Sequence, residues 1–402
     1  MQNAIPRRWS RRKLVSTVPV QPPISEYFSL IDLGADTIKV AVVGSEDGQV
    51  TVLGHSLTLS QGRDIAGGRA EAAALAAIVN GALKEAEDAT EDVVGHKIVP
   101  DNVLFALPAK TVAGKRFTLR QPRSKPNDPI TLRELDLLWE RVMRLSRQQL
   151  PELPNVGRDW IPHTVVLTEI RLDDRLVDDP VGLSAKTITL SVYGVICQPG
   201  IMRALDQLAE RLEVHIHSMV ATSQAIATIV PQREALVLDI GWSGTTCYLI
   251  RDQVLIASDR NFLGGHFFTR SLAQTFKHDN EAAEALKLAY ASADVLSAAD
   301  TDLVTQGLQT PLKRWADLVT EIIVDMNGDA QVPGHLYFTG GGAVLPGLKA
   351  QLRQTIEQSA LTFDRSPVLE NLGETQLSGF RRAPTAFRGI LFASMLSMAH
   401  TI

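Results

Sequence analysis

Two stretches of similar plan decide the fold: residues 29–42 read SLIDLGADTIKVAV, and residues 237–250 read VLDIGWSGTTCYLI. In each stretch an apolar run ends at an aspartate, a glycine follows two residues later, and a second apolar run begins after the turn. Short apolar runs separated by a glycine-containing turn are typical of β-hairpins. We therefore predict an α/β fold of two domains, each built on one copy of a duplicated β-meander plus helices.

The segments around the two meanders predict further domain boundaries. Apolar residues at helical spacing predict helices at 70–87, 200–213, 266–277, 281–291, 299–308, 311–326 and 384–399. Residues 109–130 are polar, basic and proline-containing, and a helix and strands follow them. The predicted organisation is a basic tail and linker at 1–25, a first domain at 26–106 and 196–232 with its last helix returning at 384–402, an inserted α/β subdomain at 107–195, and a second domain at 233–383.

Composition excludes several classes of protein. The 402 residues include only two cysteines, which excludes a disulfide-stapled secreted fold and indicates a reducing, cytoplasmic compartment. No apolar run reaches the ~18–20 residues that a membrane-spanning helix needs. Residues 1–13 hold five basic groups and no acid, so the rest of the chain is strongly acidic and would repel a nucleic acid. The tail itself is either a solvated leader or a contact for an anionic partner such as a lipid surface.

Three glycine-containing loops are candidate elements for binding a polyphosphate. The first two are the meander turns, in which successive backbone N–H groups can face a phosphate oxygen. The third, at 339–342, follows a strand and opens a helix, where glycines let a ligand approach the backbone. A single such loop could equally be an ordinary hairpin, but two facing each other would clamp a polyphosphate. The predicted contacts are Gly34, Thr37, Lys39, Gly241, Gly244, Thr245 and Thr246, with Asp32 and Asp239 holding Mg²⁺ through water.

In this order, the three loops resemble the phosphate-one, phosphate-two and adenosine motifs of the actin-like ATPase superfamily. Lys39 follows Asp32 by seven residues, as the phosphate-contacting lysine does in actins. The resemblance implies ATP with Mg²⁺ as the ligand. It also implies a ribose and adenine role for Glu284 and Lys287, although an exposed i, i+3 ion pair is the alternative for these two residues. The remaining residues implied by the resemblance are Gly264 and Gly265, which with Thr269 are similar to a GG-x-x-x-T step, and Gly340, Gly341 and Gly342.

Within the superfamily, the segment Asp179-Pro180-Val181-Gly182-Leu183-Ser184 is similar to the PVGLSG segment of the FtsA family of bacterial cell-division proteins. FtsA also carries a small inserted subdomain here, an arrangement shared with PilM of type IV pilus assembly. The resemblance covers residues 28–399 and implies a polymerising adaptor at the inner face of the cell membrane, with copies of itself and a division-ring protein as partners. The PilM-like alternative implies binding of a membrane-protein tail. A third class, a small-molecule kinase, lacks a recognisable catalytic base.

Three residues depart from the FtsA pattern. Trp242 and Cys247 stand where the second loop usually has a glycine and a closing aspartate, and Asp36 replaces a serine or threonine. A carboxylate that faces a phosphate is repulsive unless a metal intervenes. We therefore expect at most slow ATP hydrolysis and assign no catalytic residue. Gln224 is a candidate for orienting water, but an amide at a helix start is the favoured interpretation.

The resemblance also bears on membrane contact. FtsA proteins continue into a linker and an amphipathic membrane helix, whereas this sequence ends at Ile402, directly after the apolar helix at 384–399. We expect that helix to lie in the core. The basic residues 1–13, with Trp9, are then the predicted contact with an anionic membrane, where each basic group contributes ~1 kcal/mol.

Overall fold

The computed structural model describes residues 26–46, 49–67, 69–153, 156–292, 296–373, 380–381 and 389–401. Residues Lys110–Met202 form one compact unit, and the described residues before and after this segment form another. The predicted membrane contact through residues 1–13 lies outside the described residues.

The chain opens with the first predicted meander. Strand β1 pairs antiparallel with β2, β2 pairs antiparallel with β3, and β4 lies parallel to β1. Within this register Asp32 lies directly opposite Lys39. The elements are β1 (Glu26–Leu33), β2 (Thr37–Glu46), β3 (Gln49–Leu59), α1 (Arg69–Asp88), α2 (Glu91–Val94) and β4 (Asn102–Leu107).

The unit Lys110–Met202 is a four-stranded sheet covered by one helix. Its elements are β5 (Val112–Pro122), α3 (Leu132–Gln149), β6 (Ile161–Leu172), β7 (Arg175–Leu176) and β8 (Thr187–Cys197), in the sheet order β5-β8-β6-β7. Helix α3 begins after Thr131, whose hydroxyl accepts a hydrogen bond from the Glu134 backbone N–H at 3.3 Å. Leu135, Leu138 and Val142 then share one buried face of the helix and join the core of this unit.

The second meander repeats the plan of the first. Strand β10 pairs antiparallel with β11, β11 pairs antiparallel with β12, and β13 lies parallel to β10. The predicted duplicated meander is thus confirmed. The elements that follow β8 are α4 (Pro199–Leu212), β9 (His215–Ala221), α5 (Thr222–Ala225), β10 (Ala235–Ile240), β11 (Thr245–Arg251), β12 (Val254–Asn261), α6 (Gly265–Phe276), α7 (Asn280–Ser292), α8 (Ala298–Asn327), β13 (His335–Thr339), α9 (Leu348–Gln358), β14 (Val368–Asn371), β15 (Phe380–Arg381) and α10 (Gly389–Leu396).

Two sheets result, and helix α10 contributes to the core of each. The six-stranded sheet has the order β15-β3-β2-β1-β4-β9, and the five-stranded sheet has the order β12-β11-β10-β13-β14. Phe392, Met395 and Leu396 lie in the apolar cluster of the first sheet, whereas Ile390 lies in that of the second. The helix expected at 384–399 is therefore buried where it is described, and residues 384–388 lie outside the described residues.

In the described parts of the chain, none of the helices combines the length and the apolar character that crossing a membrane requires.

Candidate functional site

The first loop places Asp32 and Lys39 side by side at the end of the hairpin. The Lys39 Nζ lies 3.3 Å from the Asp32 Oδ2, and both side chains are largely buried. The turn is tight, because a Cβ on Gly34 would lie 2.7 Å from the Thr37 carbonyl oxygen. Ser60, directly after β3, holds the turn, since its backbone N–H donates to the Asp36 carbonyl at 2.7 Å. The hairpin therefore presents one carboxylate and one ammonium group at a fixed position.

The second loop is held against the start of helix α6 by glycine contacts. The Gly241 N–H donates to the Gly244 carbonyl at 3.0 Å, and the Gly265 N–H donates to the Gly241 carbonyl at 2.9 Å. A Cβ on Gly264 would lie 2.3 Å from the Gly241 carbonyl oxygen and 2.4 Å from the Gly244 nitrogen. Gly264 is therefore explained by the close approach of two backbone segments, whereas a Cβ on Gly265 would come no closer than 3.4 Å to the Trp242 ring.

The two threonines of the second loop have different environments. Thr245 is fully buried, and its hydroxyl donates to the Leu263 carbonyl at 2.7 Å and accepts from the Trp315 indole N–H at 2.9 Å. Its hydroxyl therefore holds the loop from inside the protein. Thr246 is half-buried and lies opposite Asp239 in the register, and cross-strand partners share a face of the sheet. Thr246 is thus the threonine on the side of the Asp239 carboxylate.

The charged residues of the first loop act electrostatically on the Asp239 carboxylate, which belongs to the second loop. Burial raises the pKa of Asp239 above its ordinary value. A hydrogen bond from the Ser394 hydroxyl, at 2.7 Å from Oδ2, opposes this rise in pKa, as does the charge of Lys39. The charge of Asp32 raises the pKa further, and that of Arg260 lowers it. Two carboxylates on facing loops suit a divalent cation bound through water.

The third loop packs on the second but leaves open space in its middle. Gly340 has a φ of +88°, and a Cβ there would lie 2.5 Å from the Asp239 Oδ1. A Cβ on Gly342 would lie 2.4 Å from the Ile240 Cγ2, whereas a Cβ on Gly341 would have no atom within 4 Å. Packing thus explains Gly340 and Gly342 but not Gly341. Gly341 is exposed to solvent and directly follows Gly340, which packs on the Asp239 carboxylate, so this turn leaves room for a polyphosphate with its cation to approach the backbone.

Glu284 and Lys287 form a buried ion pair on helix α7. The Lys287 side chain is only 9% exposed. Its Nζ donates to the Glu284 Oε2 at 2.7 Å, to the Thr269 hydroxyl at 2.8 Å and to the Gly265 carbonyl at 3.1 Å. The exposed ion pair considered as an alternative is therefore wrong, because the Lys287 side chain is buried. Its three contacts use all three N–H donors of the ammonium group.

Trp242 and Asp36 extend the same cluster across the site. The Lys287 Nζ lies 5.1 Å from the centroid of the Trp242 ring, and the His266 ring centroid lies 5.0 Å from it. Burial raises the pKa of Asp36, and the charge of Glu284 raises it further. Burial lowers the pKa of Lys287. The indole thus covers the lysine, and the tip of the first hairpin is within electrostatic range of helix α7.

We expect Lys287→Met to lower the free energy of unfolding by about 3 kcal/mol, because it leaves the Glu284 carboxylate partly buried without its cation. Urea denaturation at neutral pH measures this change. Lys313→Met is the matched control, since it breaks an i, i+4 pair with Asp317 whose side chains are 65% and 42% exposed, and it should cost less than ~0.5 kcal/mol. Equal effects of the two substitutions would contradict the buried role of Lys287.

Two residues of the site were not anticipated from the sequence. Arg260 donates from Nη2 to the Ser243 hydroxyl at 2.8 Å and so closes the second loop from β12. Ser394 reaches Asp239 from α10, and the available signal was a lone hydroxyl in the apolar stretch GILFASML. The Gln224 side chain forms a hydrogen bond at the start of α5, where its Oε1 accepts from the Ala221 N–H at 3.2 Å. This is the interpretation that the sequence favours over a role in orienting water.

No protein-family model matches the chain. In sequence it is similar to the cell division protein FtsA of Streptococcus pneumoniae, with 24% identity over 348 residues that cover 80% of this chain and 72% of that protein. FtsA of Enterococcus faecalis is 23% identical over 379 residues, covering 85% and 81%.

Solved structures give a consistent fold. The chain superposes on a chain of the PilM–PilN type IV pilus biogenesis complex with a TM-score of 0.64 and 18% identity, covering 94% of this chain and 98% of that one. The ethanolamine utilization protein EutJ of Carboxydothermus hydrogenoformans gives 0.51 and 15%, covering 94% and 90%. These likenesses show that the chain has the actin-like ATPase fold and that its sequence resembles the cell-division protein FtsA.

Proposed function

We propose that this chain is an ATP-binding, FtsA-like protein that polymerises and acts as an adaptor in bacterial cell division, at the inner face of the cytoplasmic membrane. The observation that carries the proposal is the convergence of Asp32, Lys39 and Asp239 beside the open turn at Gly341. Mg²⁺, when bound, would neutralise part of the polyphosphate charge.

Each loop has a part in the proposed site. Asp32 and Asp239 would hold the hydrated cation, and Lys39 would contact a phosphate as a point charge. The backbone around Gly34, Gly241 and Gly341 would line the polyphosphate. The other proposed contacts are Thr37, Gly244, Thr245, Thr246, Gly264, Gly265, Glu284, Lys287, Gly340 and Gly342. Of these, Thr245 and Lys287 would contribute indirectly, by holding the loops in place.

We propose binding with at most slow hydrolysis. Cys247 lies fully buried in the second core, and burial raises the pKa of its thiol. It therefore remains a neutral thiol where the loops that it resembles carry an aspartate. Asp36 adds a negative charge at the tip of the first hairpin, which disfavours an approaching phosphate.

Charge distribution supports self-association. The unit Lys110–Met202, which we propose as the subdomain predicted at 107–195, holds 14 basic and 11 acidic residues. Residues 25–109 and 203–402 together hold 21 basic and 34 acidic residues. A basic region on one copy and an acidic body on the next favour a head-to-tail contact, and such a contact generates an open filament when its rotation does not close.

We expect negative-stain electron microscopy to show filaments or minirings that require Mg²⁺–ATP and form more readily on an anionic lipid monolayer. Because the proposed contact depends on attraction between the basic unit of one copy and the acidic unit of the next, assembly should weaken as the salt concentration rises from about 50 mM to about 500 mM. The same protein with EDTA in place of Mg²⁺ is the control. Monodisperse particles under every condition would argue against polymerisation.

A PilM-like adaptor is the second candidate, favoured by the near-complete superposition on a chain of the PilM–PilN complex. In this case the chain would remain a monomer and bind the cytoplasmic tail of a membrane protein. Titration with a synthetic peptide of such a tail from a pilus-assembly operon, followed by calorimetry, distinguishes this function from polymerisation.

A further inference from the structure

Helix α10 contains one hydroxyl in an otherwise apolar sequence. A serine within a helix commonly satisfies its hydroxyl on a carbonyl of the preceding turn. Ser397 does so, donating to the Ser394 carbonyl at 2.7 Å. Ser394 instead donates to the Asp239 Oδ2 at 2.7 Å, across 155 residues of sequence. The hydroxyl of Ser394 is therefore directed at the second loop.

The same helix also holds the third loop. The Ile390 carbonyl accepts the Gly340 N–H at 3.0 Å and the Thr339 hydroxyl at 2.9 Å. Thr339 lies opposite Asp239 in the parallel pairing of β10 with β13. One turn of α10 thus contacts both loops that border the open space at Gly341.

The two oxygens of Asp239 have different surroundings. Ser394 engages Oδ2, whereas Oδ1 is the oxygen that a Cβ on Gly340 would approach to 2.5 Å. The bond to Oδ2 therefore fixes the rotation of the carboxylate with Oδ1 on the side of the third loop. A carboxylate that is free to rotate would lose this preference, since terminal carboxylate torsions are broad.

We infer that Ser394 is a positioning residue that orients the Asp239 carboxylate, so that helix α10 joins the second and third loops into one rigid cation-facing edge. The ligand part of this inference rests on the proposed Mg²⁺–ATP function. The ordering of the two loops by Ser394 does not depend on a ligand.

The test compares Ser394→Ala with Ser397→Ala, which removes the same hydroxyl from the residue directly after that helix without touching Asp239. Hydrogen exchange of the nucleotide-free protein is measured at residues 239–246 and 339–344. ATP affinity is measured with Mg²⁺ and with EDTA. We expect Ser394→Ala to speed exchange about tenfold in these two segments only, and to reduce the Mg²⁺-dependent gain in affinity about tenfold. Ser397→Ala should change neither quantity.

Unchanged exchange in both segments of Ser394→Ala, or equal changes in Ser397→Ala, would overturn the inference. If wild-type protein gains no ATP affinity from Mg²⁺, the proposed function fails, while the exchange measurement still decides the role of Ser394. Ser394→Cys keeps the size of the side chain and a weaker donor. It should loosen the two segments by an intermediate amount, and it replaces the alanine variant if that variant does not fold.

Discussion

Asp239→Asn is expected to weaken Mg²⁺–ATP binding by about 10- to 100-fold and, at neutral pH, to stabilise the protein. The loss of affinity follows because an amide is a poor outer partner for a hydrated cation. The gain in stability follows because Asp239 is a buried carboxylate whose pKa is raised chiefly by burial. Asparagine keeps the shape of the side chain and an acceptor for the Ser394 hydroxyl without carrying the charge. Calorimetry with Mg²⁺–ATP and urea denaturation measure the two effects.

The pH dependence of the stability difference has a definite sign. The folded protein binds the Asp239 proton more tightly than the unfolded chain, whose carboxyl titrates near 3.8. The stability contributed by this proton is therefore lost as pH rises from that value through the raised folded pKa. Wild type should lose stability relative to Asp239→Asn over this range. A difference that is constant with pH, or unchanged binding of Mg²⁺–ATP, would contradict the assignment.

Gly340→Ala is expected to lower the free energy of unfolding by about 3 kcal/mol. The new methyl group would lie 2.5 Å from the Asp239 Oδ1 and 2.6 Å from the Ile240 carbonyl oxygen, at a φ of +88°. Left-handed backbone strain and overpacking each cost about 1–3 kcal/mol. Thermal and urea denaturation without nucleotide measure the loss.

Gly341→Ala, one residue later, is the matched control and should leave stability within about 0.5 kcal/mol of wild type. Its methyl group would meet no atom within 4 Å, so it would enter only the space proposed for the ligand. We therefore expect weaker ATP binding from a protein of normal stability. Normal ATP affinity in a folded Gly341→Ala variant would remove this turn from the proposed site.

The sequence was most informative where structure depends on neighbouring residues. The aspartate at the end of a strand and the glycine of the following turn predicted both hairpins, and the registers of Asp32 with Lys39 and Asp239 with Thr246 follow from them. The prediction of two separate helices at 299–308 and 311–326 is wrong, because α8 runs without interruption from Ala298 to Asn327, with Pro311 inside it. The apolar contacts of its buried face offset the ~3 kcal/mol that an internal proline costs.

The rest of the site depends on pairs that are remote in sequence. Thr245 is held by Trp315 and Asp239 by Ser394, across 70 and 155 residues. No local pattern reports which distant side chain satisfies a given hydroxyl, since that follows from how the helices close over the sheet. The buried state of Lys287 was missed for the same reason, because its acceptors at Gly265 and Thr269 lie on another helix.

The position of α10 late in the sequence has a consequence for biosynthesis. Phe392 and Met395 fill the same core as Phe28 and Leu30 from the first strand, so the opening meander leaves the ribosome long before its core can close. Contacts this remote slow folding, and the apolar face of the nascent sheet remains exposed meanwhile. We expect the second and third loops to become ordered only after translation of α10, and the nascent chain to engage chaperones until then.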